Sequence, residues 1–182
     1  MSTEQVVLVN HDGEPIGLKE KMQAHLDGDL HLAFSVLLYR HNSKGDREYL
    51  LHQRAMNKYH SGGLWTNTCC SHPRTGETLI DAGARRLHEE MGIHYEGELH
   101  DVGDFVYRAD LDNALVEHEL DHVLIGSVDH LEFTVNPEEV MATAWVSAAS
   151  LHTALATTPE RYTAWFPTVV AIAECALNTK SH

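Results

Sequence analysis

Basic side chains are scarce in this sequence. Its 182 residues include 13 Lys or Arg against 27 Asp or Glu, a formal net charge of −14 with the histidines neutral. A field of that sign disfavours nucleic acid and anionic membrane surfaces as partners. Long apolar runs are missing too, and none approaches the roughly 18 residues that suggest a membrane helix. Residues 1–10 lack the basic start and apolar stretch of a signal peptide. Cysteine is limited to three, which cannot all pair with one another within the chain. Without an export signal, this points to free thiols and a cytoplasmic setting. Repeats, low-complexity tracts and linkers are absent, so one domain over residues 1–182 is expected. A hydrophobic content of 43% supplies a core for it and disfavours disorder.

The pattern along the chain alternates strands and helices. Residues 5–9 read as a strand, followed by an Asp-Gly turn at 11–15. Lys19 to Leu26 has the length of a short helix. His31 to Arg40 is an apolar run suited to a buried strand, and it forms a hairpin with 48–53 through Asn42–Asp46. A basic, glycine-containing loop follows at 55–64. The stretch 78–91 reads as a helix, with Thr78 and Asp81 as a capping-box-like start and Gly92 as its stop. Strands are expected near 99–108, 115–128 and 140–146. Helices are expected at 147–157 and 159–179, the latter with Trp165, Val169, Ile172 and Ala176 on one face. This order predicts a mixed-sheet α/β sandwich with one long central helix.

Fifteen histidines are many for this length. Most must be surface or hydrogen-bonded core residues, a group taken to include His11, His52, His60, His88, His94, His100, His130, His152 and His182. Cys69 and Cys70 are adjacent, so on a strand they point to opposite faces. Glu117 and Glu119 are two apart, so on a strand they share a face and His118 turns away. A buried, inert thiol is the ordinary role for any of the cysteines, and Cys175 is expected in the core of the terminal helix.

Residues 71–93 resemble the Nudix box, G-x5-E-x7-R-E-U-x-E-E-x-G-U with U apolar. Glu77, Arg85, Leu87, Glu89, Glu90, Gly92 and Ile93 match. Ser71 replaces the opening glycine and Arg86 the first glutamate of the R-E pair. Taken alone, the charged residues here would be a solvated helix face with i,i+4 ion pairs. Replacing a carboxylate by Arg86 removes a metal ligand and adds a phosphate-binding cation, which argues against a hydrolase that needs several metals. Nearly the whole chain resembles the type 1 isopentenyl-diphosphate isomerases of the Nudix superfamily. The resemblance rests on Lys21 with His25, His31–Ser35, Arg54-Ala55, Lys58, Trp65-Thr66-Asn67, Cys70-Ser71-His72-Pro73 and Arg85-Arg86. It continues through Glu90-Met91-Gly92, Tyr107-Arg108, Glu117-His118-Glu119 and Trp165.

That resemblance implies a Nudix-type mixed-sheet α/β sandwich with added terminal elements, and a flavin-independent isomerase that needs divalent metal. It implies a metal site of His25, His31, His72, Glu117 and Glu119 that accepts Mn²⁺, Zn²⁺ or Mg²⁺. Cys70 and Glu119 become an opposed acid–base pair, with Tyr107 as the hydrogen-bonding partner of Glu119. Trp165 becomes a π face for a carbocation. Lys21, Arg54, Lys58 and Arg86 become diphosphate ligands. Glu90 and the Cys70 carbonyl would hold a substrate-bound Mg²⁺. The implied partner is a small diphosphate ester, bound by a monomer or weak homodimer without nucleic acid or membrane. The two glycines of His60-Ser61-Gly62-Gly63-Leu64 would let that loop move over the site.

Overall fold

The computed structural model describes residues 4–58, 60–111 and 114–179. These contain strands β1 (Gln5–Val9), β2 (Pro15–Glu20), β3 (His31–His41), β4 (Arg47–Arg54), β5 (Trp65–Thr66), β6 (Cys69–Ser71), β7 (His100–Asp110), β8 (Val116–Ser127) and β9 (Val140–Ser147). The helices are α1 (Lys21–Asp27), α2 (Leu79–Met91), α3 (Ala148–Thr157) and α4 (Phe166–Thr179).

β3 is the hub. One edge pairs in parallel with β8 from His31↔Glu119 to Tyr39↔Ser127. The other edge is shared by β1 at His31, β6 at residues 34–36 and β4 at residues 39–41. β8 pairs onward with β7, and β4 with β9, both antiparallel.

Alternation along these strands divides two apolar layers. Phe34, Val36, Leu38, Leu50, Cys69 and Leu124 pack with Ala82, Leu87 and Met91 of α2. Leu37, Tyr49, Leu51, Val123 and Ile125 pack on the other side with Phe166, Val169, Val170 and Ala173 of α4. Each large side chain fully buried this way stabilises the fold by roughly 1.5–3 kcal/mol.

α2 begins where expected, with Thr78 Oγ accepting from the Asp81 amide at 3.1 Å. It ends at Gly92, whose φ is +68°. The Gly92 amide donates to the His88 carbonyl and the Ile93 amide to the Leu87 carbonyl, a left-handed helix stop.

Two expectations are corrected. Residues 159–179 are not one helix. Pro159–Arg161 form a 3₁₀ turn, Tyr162 is extended (φ −119°, ψ 154°), and the Thr163 amide bonds to the Trp65 carbonyl at 3.0 Å. This tether to β5 interrupts the helix, so Trp165 precedes α4. The buried stripe is therefore Phe166, Val169, Val170, Ala173 and Leu177, with Ile172 and Ala176 on its flank. Cys175 is exposed, outside that stripe. The strand β2 went unread because it buries no alternate face: Ile16 and Leu18 are 64% and 46% exposed.

Gly92→Ala tests how tightly the end of α2 is held. A Cβ there would lie 2.0 Å from the Thr134 carbonyl oxygen and would also carry the strain of positive φ. A loss of about 2 kcal/mol or more is expected in urea unfolding. A loss near zero would mean that the 134 segment is not docked on the helix end.

Candidate active site

The site is built on the inner face of β8. Glu117, Glu119 and Asp121 project there at two-residue spacing, all buried, while His118 turns away and its Nδ1 meets the Gly28 carbonyl at 3.0 Å. β3 brings His31 beside Glu119 through the parallel register, and β7 brings Tyr107 to its other side. β6 delivers His72 immediately after its last residue, and α1 delivers His25 from above β8.

The rings of His25 and His31 lie 5.2 Å apart, and those of His31 and His72 5.0 Å apart. His72 Nε2 is 3.1 Å from Glu119 Oε2, and His31 Nε2 is 3.4 Å from the same atom. His25, His31, His72 and Glu119 together present four donor atoms within 4.8 Å of one another.

The orientation suits a cation. His25 Nδ1 donates to the Lys21 carbonyl at 2.8 Å, and His31 Nδ1 to the Asp29 carbonyl at 2.9 Å. Each bond fixes the tautomer and turns Nε2 towards the carboxylates. Glu117 Oε2 is buried with His60 Nε2 at 2.8 Å and His25 Nε2 at 3.9 Å, a second set of donor atoms that could hold a cation.

Electrostatics separates the three carboxyls. Burial alone would raise Glu119, but contacts from His31 and His72 outweigh it and hold the carboxyl below the usual range. Burial and the Glu119 charge push Glu117 up, against the neighbouring His60 and His72. Burial and both glutamates push Asp121 up further, against a 2.9 Å hydrogen bond from Ser35 Oγ.

A cavity of about 110 Å³ opens beside this group. Cys70 lines it, turned from Cys69, which is fully buried against α2. Burial pushes the Cys70 thiol well up, despite Arg54 Nη1 at 3.9 Å from its sulfur. Trp165 walls the cavity, and the Arg54 guanidinium lies 5.7 Å from its ring centre. Tyr107 stands 6.0 Å behind Trp165. The expected Tyr107–Glu119 hydrogen bond is not formed. The buried Tyr107 hydroxyl has no partner among the described residues, because the sheet register sets the two residues side by side without aiming the hydroxyl at a carboxylate.

All four expected phosphate cations line the same cavity. Arg86 Nη2 contacts Glu90 Oε1 at 2.8 Å, Lys21 contacts Glu4 at 2.7 Å, and Lys58 pairs with Glu139. Glu90 Oε2 is buried without a partner among the described residues, and burial raises this carboxyl against the pull of Arg86.

The chain covered by the NUDIX domain runs from residue 29 to 166. An isopentenyl-diphosphate Delta-isomerase of Photobacterium profundum is 62% identical over 167 residues, 92% of each chain. The chain belongs to the isopentenyl-diphosphate Delta-isomerase family. Further relatives of that name include one from Aliivibrio fischeri, 50% identical over 92% of this chain and 93% of its own. Another, from Pectobacterium atrosepticum, is 45% identical over 91% and 89%. Solved structures share the fold at low identity. DR0079 from Deinococcus radiodurans superposes with a TM-score of 0.71 at 16% identity, covering 94% of this chain and 99% of its own. A MutT protein from Methanosarcina mazei Go1 does so with 0.61 at 20%, covering 84% and 96%. These likenesses show that the chain has the fold of those proteins.

Four cavity residues escaped the sequence reading, one of them Glu4, which pairs with Lys21. His60, classed there as ordinary, is buried with Nε2 at 2.8 Å from Glu117 Oε2. Asp121 continues the Glu117/Glu119 alternation, and that period-two pattern was a signal that could have found it. Glu139 reaches Lys58 and Arg86 from the turn before β9, and nothing in the local sequence marks it. His182 lies outside the described residues.

His52 is the ordinary histidine it was taken for, but it supports the site. Its Nδ1 donates to the Asn67 and Thr68 carbonyls at 2.7 and 2.9 Å. The Asn67 side chain in turn donates to the Cys69 carbonyl at 2.6 Å and accepts from Trp165 Nε1 at 3.3 Å.

Burial, with help from Arg54, lowers the His52 pKa from 6.5 to about 4. The unfolded chain therefore takes up a proton between those values and the folded chain does not. Stability from this residue is intact above pH 6.5 and falls as pH drops towards 4, by up to about 3 kcal/mol. Urea unfolding between pH 7 and 4 should show a shallower decline for His52→Gln than for the wild type. Identical slopes would mean His52 titrates alike in both states.

Proposed function

We propose that this chain interconverts isopentenyl diphosphate and dimethylallyl diphosphate, with Cys70 and Glu119 handling the protons. One observation carries the reading: both residues line a single cavity that has a buried His/Glu group at one side and Lys21, Arg54, Lys58 and Arg86 at another. An acid–base pair, an anion cradle and a metal-ligand set in one cleft suit a diphosphate-bearing alkene.

His25, His31, His72, Glu117 and Glu119 are the residues that would hold Mn²⁺, Zn²⁺ or Mg²⁺. Their imidazole and carboxylate donors fit any of these cations. Glu90, through its buried Oε2, and the Cys70 carbonyl would meet an Mg²⁺ carried on the diphosphate. When bound, these ions neutralise clustered negative charge and fix carboxylate and phosphate oxygens in place.

The protein's own groups carry the proton chemistry. One member of the pair delivers a proton to the terminal carbon of the alkene. The other removes a proton from the carbon on the far side of the resulting tertiary cation, which re-forms the double bond one position along. Microscopic reversibility exchanges the two roles when the reaction runs backward. Cys70 on β6 and Glu119 on β8 enter from the two strands that flank β3, an arrangement that serves attack and removal from separate sides. Trp165 offers its π face to the cation and, with Phe34, keeps that end of the cleft apolar. Arg86 and Arg54 hold phosphate oxygens through fork-shaped donors, and Lys21 and Lys58 add point charges.

Incubation of metal-loaded protein with isopentenyl diphosphate in D₂O tests the reaction class. Dimethylallyl diphosphate carrying deuterium at the newly formed methyl is expected, and release of phosphate in its place would overturn the assignment. In the same assay Cys70→Ala should lose a factor of about 10²–10⁴ in kcat, with substrate binding largely kept. Cys69→Ala should lose only packing, about 1–2 kcal/mol in unfolding experiments. A dispensable Cys70 beside an essential Cys69 would reverse the assignment.

Trp165 separates ground state from transition state. A cation exists only along the reaction, so its π partner acts on kcat far more than on affinity. Trp165→Phe should retain clearly more kcat than Trp165→Leu, with both folded and both binding substrate at similar concentration. Equal kcat for the two variants would leave Trp165 as a packing residue before α4.

A further inference from the structure

The five expected ligands leave out a sixth donor that the fold drives into the same group. His60 is 5% exposed, although it sits on the loop between β4 and β5. His25, His60 and Glu117 present donor atoms within 4.8 Å of one another. The His60 ring stacks at 6.1 Å on His25 and meets the Trp165 ring edge-on at 6.0 Å.

The contact with Glu117 has an informative shape. His60 Nε2 lies 2.8 Å from Glu117 Oε2, a contact that opposes the upward push of burial on that carboxyl. A separation this short suits two neighbouring ligand atoms of one ion, and His25 Nε2 lies within the same group. In an octahedral shell, metal–ligand bonds of about 2.0–2.1 Å at near-right angles place neighbouring ligand atoms about 3 Å apart. The other ring nitrogen, Nδ1, is 3.1 Å from Ser61 Oγ, the kind of partner that fixes a ligating imidazole's orientation.

The backbone is shaped to keep the ring there. Ser61 and Gly63 both take positive φ, +54° and +81°, and a Cβ on Gly62 would lie 2.6 Å from the Met56 carbonyl oxygen. The turn is closed by the Gly63 amide on the Arg54 carbonyl at 2.9 Å and the Arg54 amide on the Leu64 carbonyl at 2.8 Å. The His60 carbonyl also accepts from Arg54 Nη2 at 3.1 Å.

We propose that His60 is a ligand of the metal centre, on the Glu117/His25 side, so that the bound ion clamps the turn at residues 60–64 over the cavity. The inference rests on the reading that the His/Glu group holds a metal. It adds a consequence: the ion and the anion cradle share one residue, because the same His60 whose ring meets Glu117 holds Arg54 through its carbonyl. Metal loading then orders the loop and sets the Arg54 guanidinium together.

The test compares metal-stripped wild type, His60→Ala, His60→Asn and, as a control on the opposite face of β8, His118→Ala. Zn²⁺ affinity is measured by competition with a chromophoric chelator, coordination by the visible absorption of the Co²⁺ form, and loop order by amide hydrogen exchange. Both His60 variants should bind Zn²⁺ at least about tenfold more weakly than the wild type. They should also shift the Co²⁺ bands and lose the Zn²⁺-induced slowing of exchange at residues 60–64. His118→Ala should match the wild type in all three. If Ala loosens the fold, Asn retains a polar side chain and carries the comparison. Unchanged affinity, or weaker affinity with an unchanged Co²⁺ spectrum, overturns the proposal and leaves His60 as a neighbour that positions Glu117. If the wild type itself binds neither Zn²⁺ nor Co²⁺, the metal reading fails and takes this inference with it.

Discussion

Three carboxyls on one buried face of β8 set the terms for everything around them. Glu117, Glu119 and Asp121 are each at most 7% exposed, and carboxylates removed from water at that spacing repel one another strongly. The fold answers with different devices along the strand. Imidazoles from β3 and the end of β6 converge on Glu119 and hold its carboxyl below the usual range. Asp121 is pushed up towards its neutral form and receives the Ser35 hydroxyl. Glu117 meets the His60 ring, whose Nε2 lies 2.8 Å from its Oε2. The surrounding strands bring His25, His31 and His72 to this face, and with Glu119 they form a group that could hold a metal ion.

The same logic resolves the conflict between a chain of net charge −14 and an anionic substrate. Its cations are few, but four of them line one cavity, and acidic partners hold three of these in place: Glu4 for Lys21, Glu139 for Lys58, and Glu89 with Glu90 for Arg86. Attraction is therefore local. The two-ended character of the cleft follows from sheet alternation, which turns Cys70 towards the cavity and seals Cys69 beneath α2.

Much of this was legible in the sequence, for identifiable reasons. α2 announced itself through Thr78 and Gly92, and the hub strand through the unbroken apolar run after His31. Glu117, His118 and Glu119 showed the period of two that puts the outer pair on one face. The rest depended on long-range geometry. Trp165 was placed inside a helix because a turn-forming Pro159 and a tether from Thr163 to β5 leave no periodic trace. Cys175 was expected inside because its stripe was read one position out of phase. His60 looked like any loop histidine, since only the folded turn at Ser61–Gly63 shows which way its ring faces.

The parallel register between β3 and β8 also bears on how the molecule is made. Ser35 and Asp121 are 86 positions apart in sequence, and the His31↔Glu119 pair belongs to the same ladder. Parallel pairing across such a span closes late, because its loop entropy must be met before its contacts repay it. Until β8 docks, His25, His31 and His72 have no carboxylate to face. A chain emerging from the ribosome therefore lacks the buried His/Glu group while β8 is still unsynthesised, and that group comes together only as the central sheet is completed.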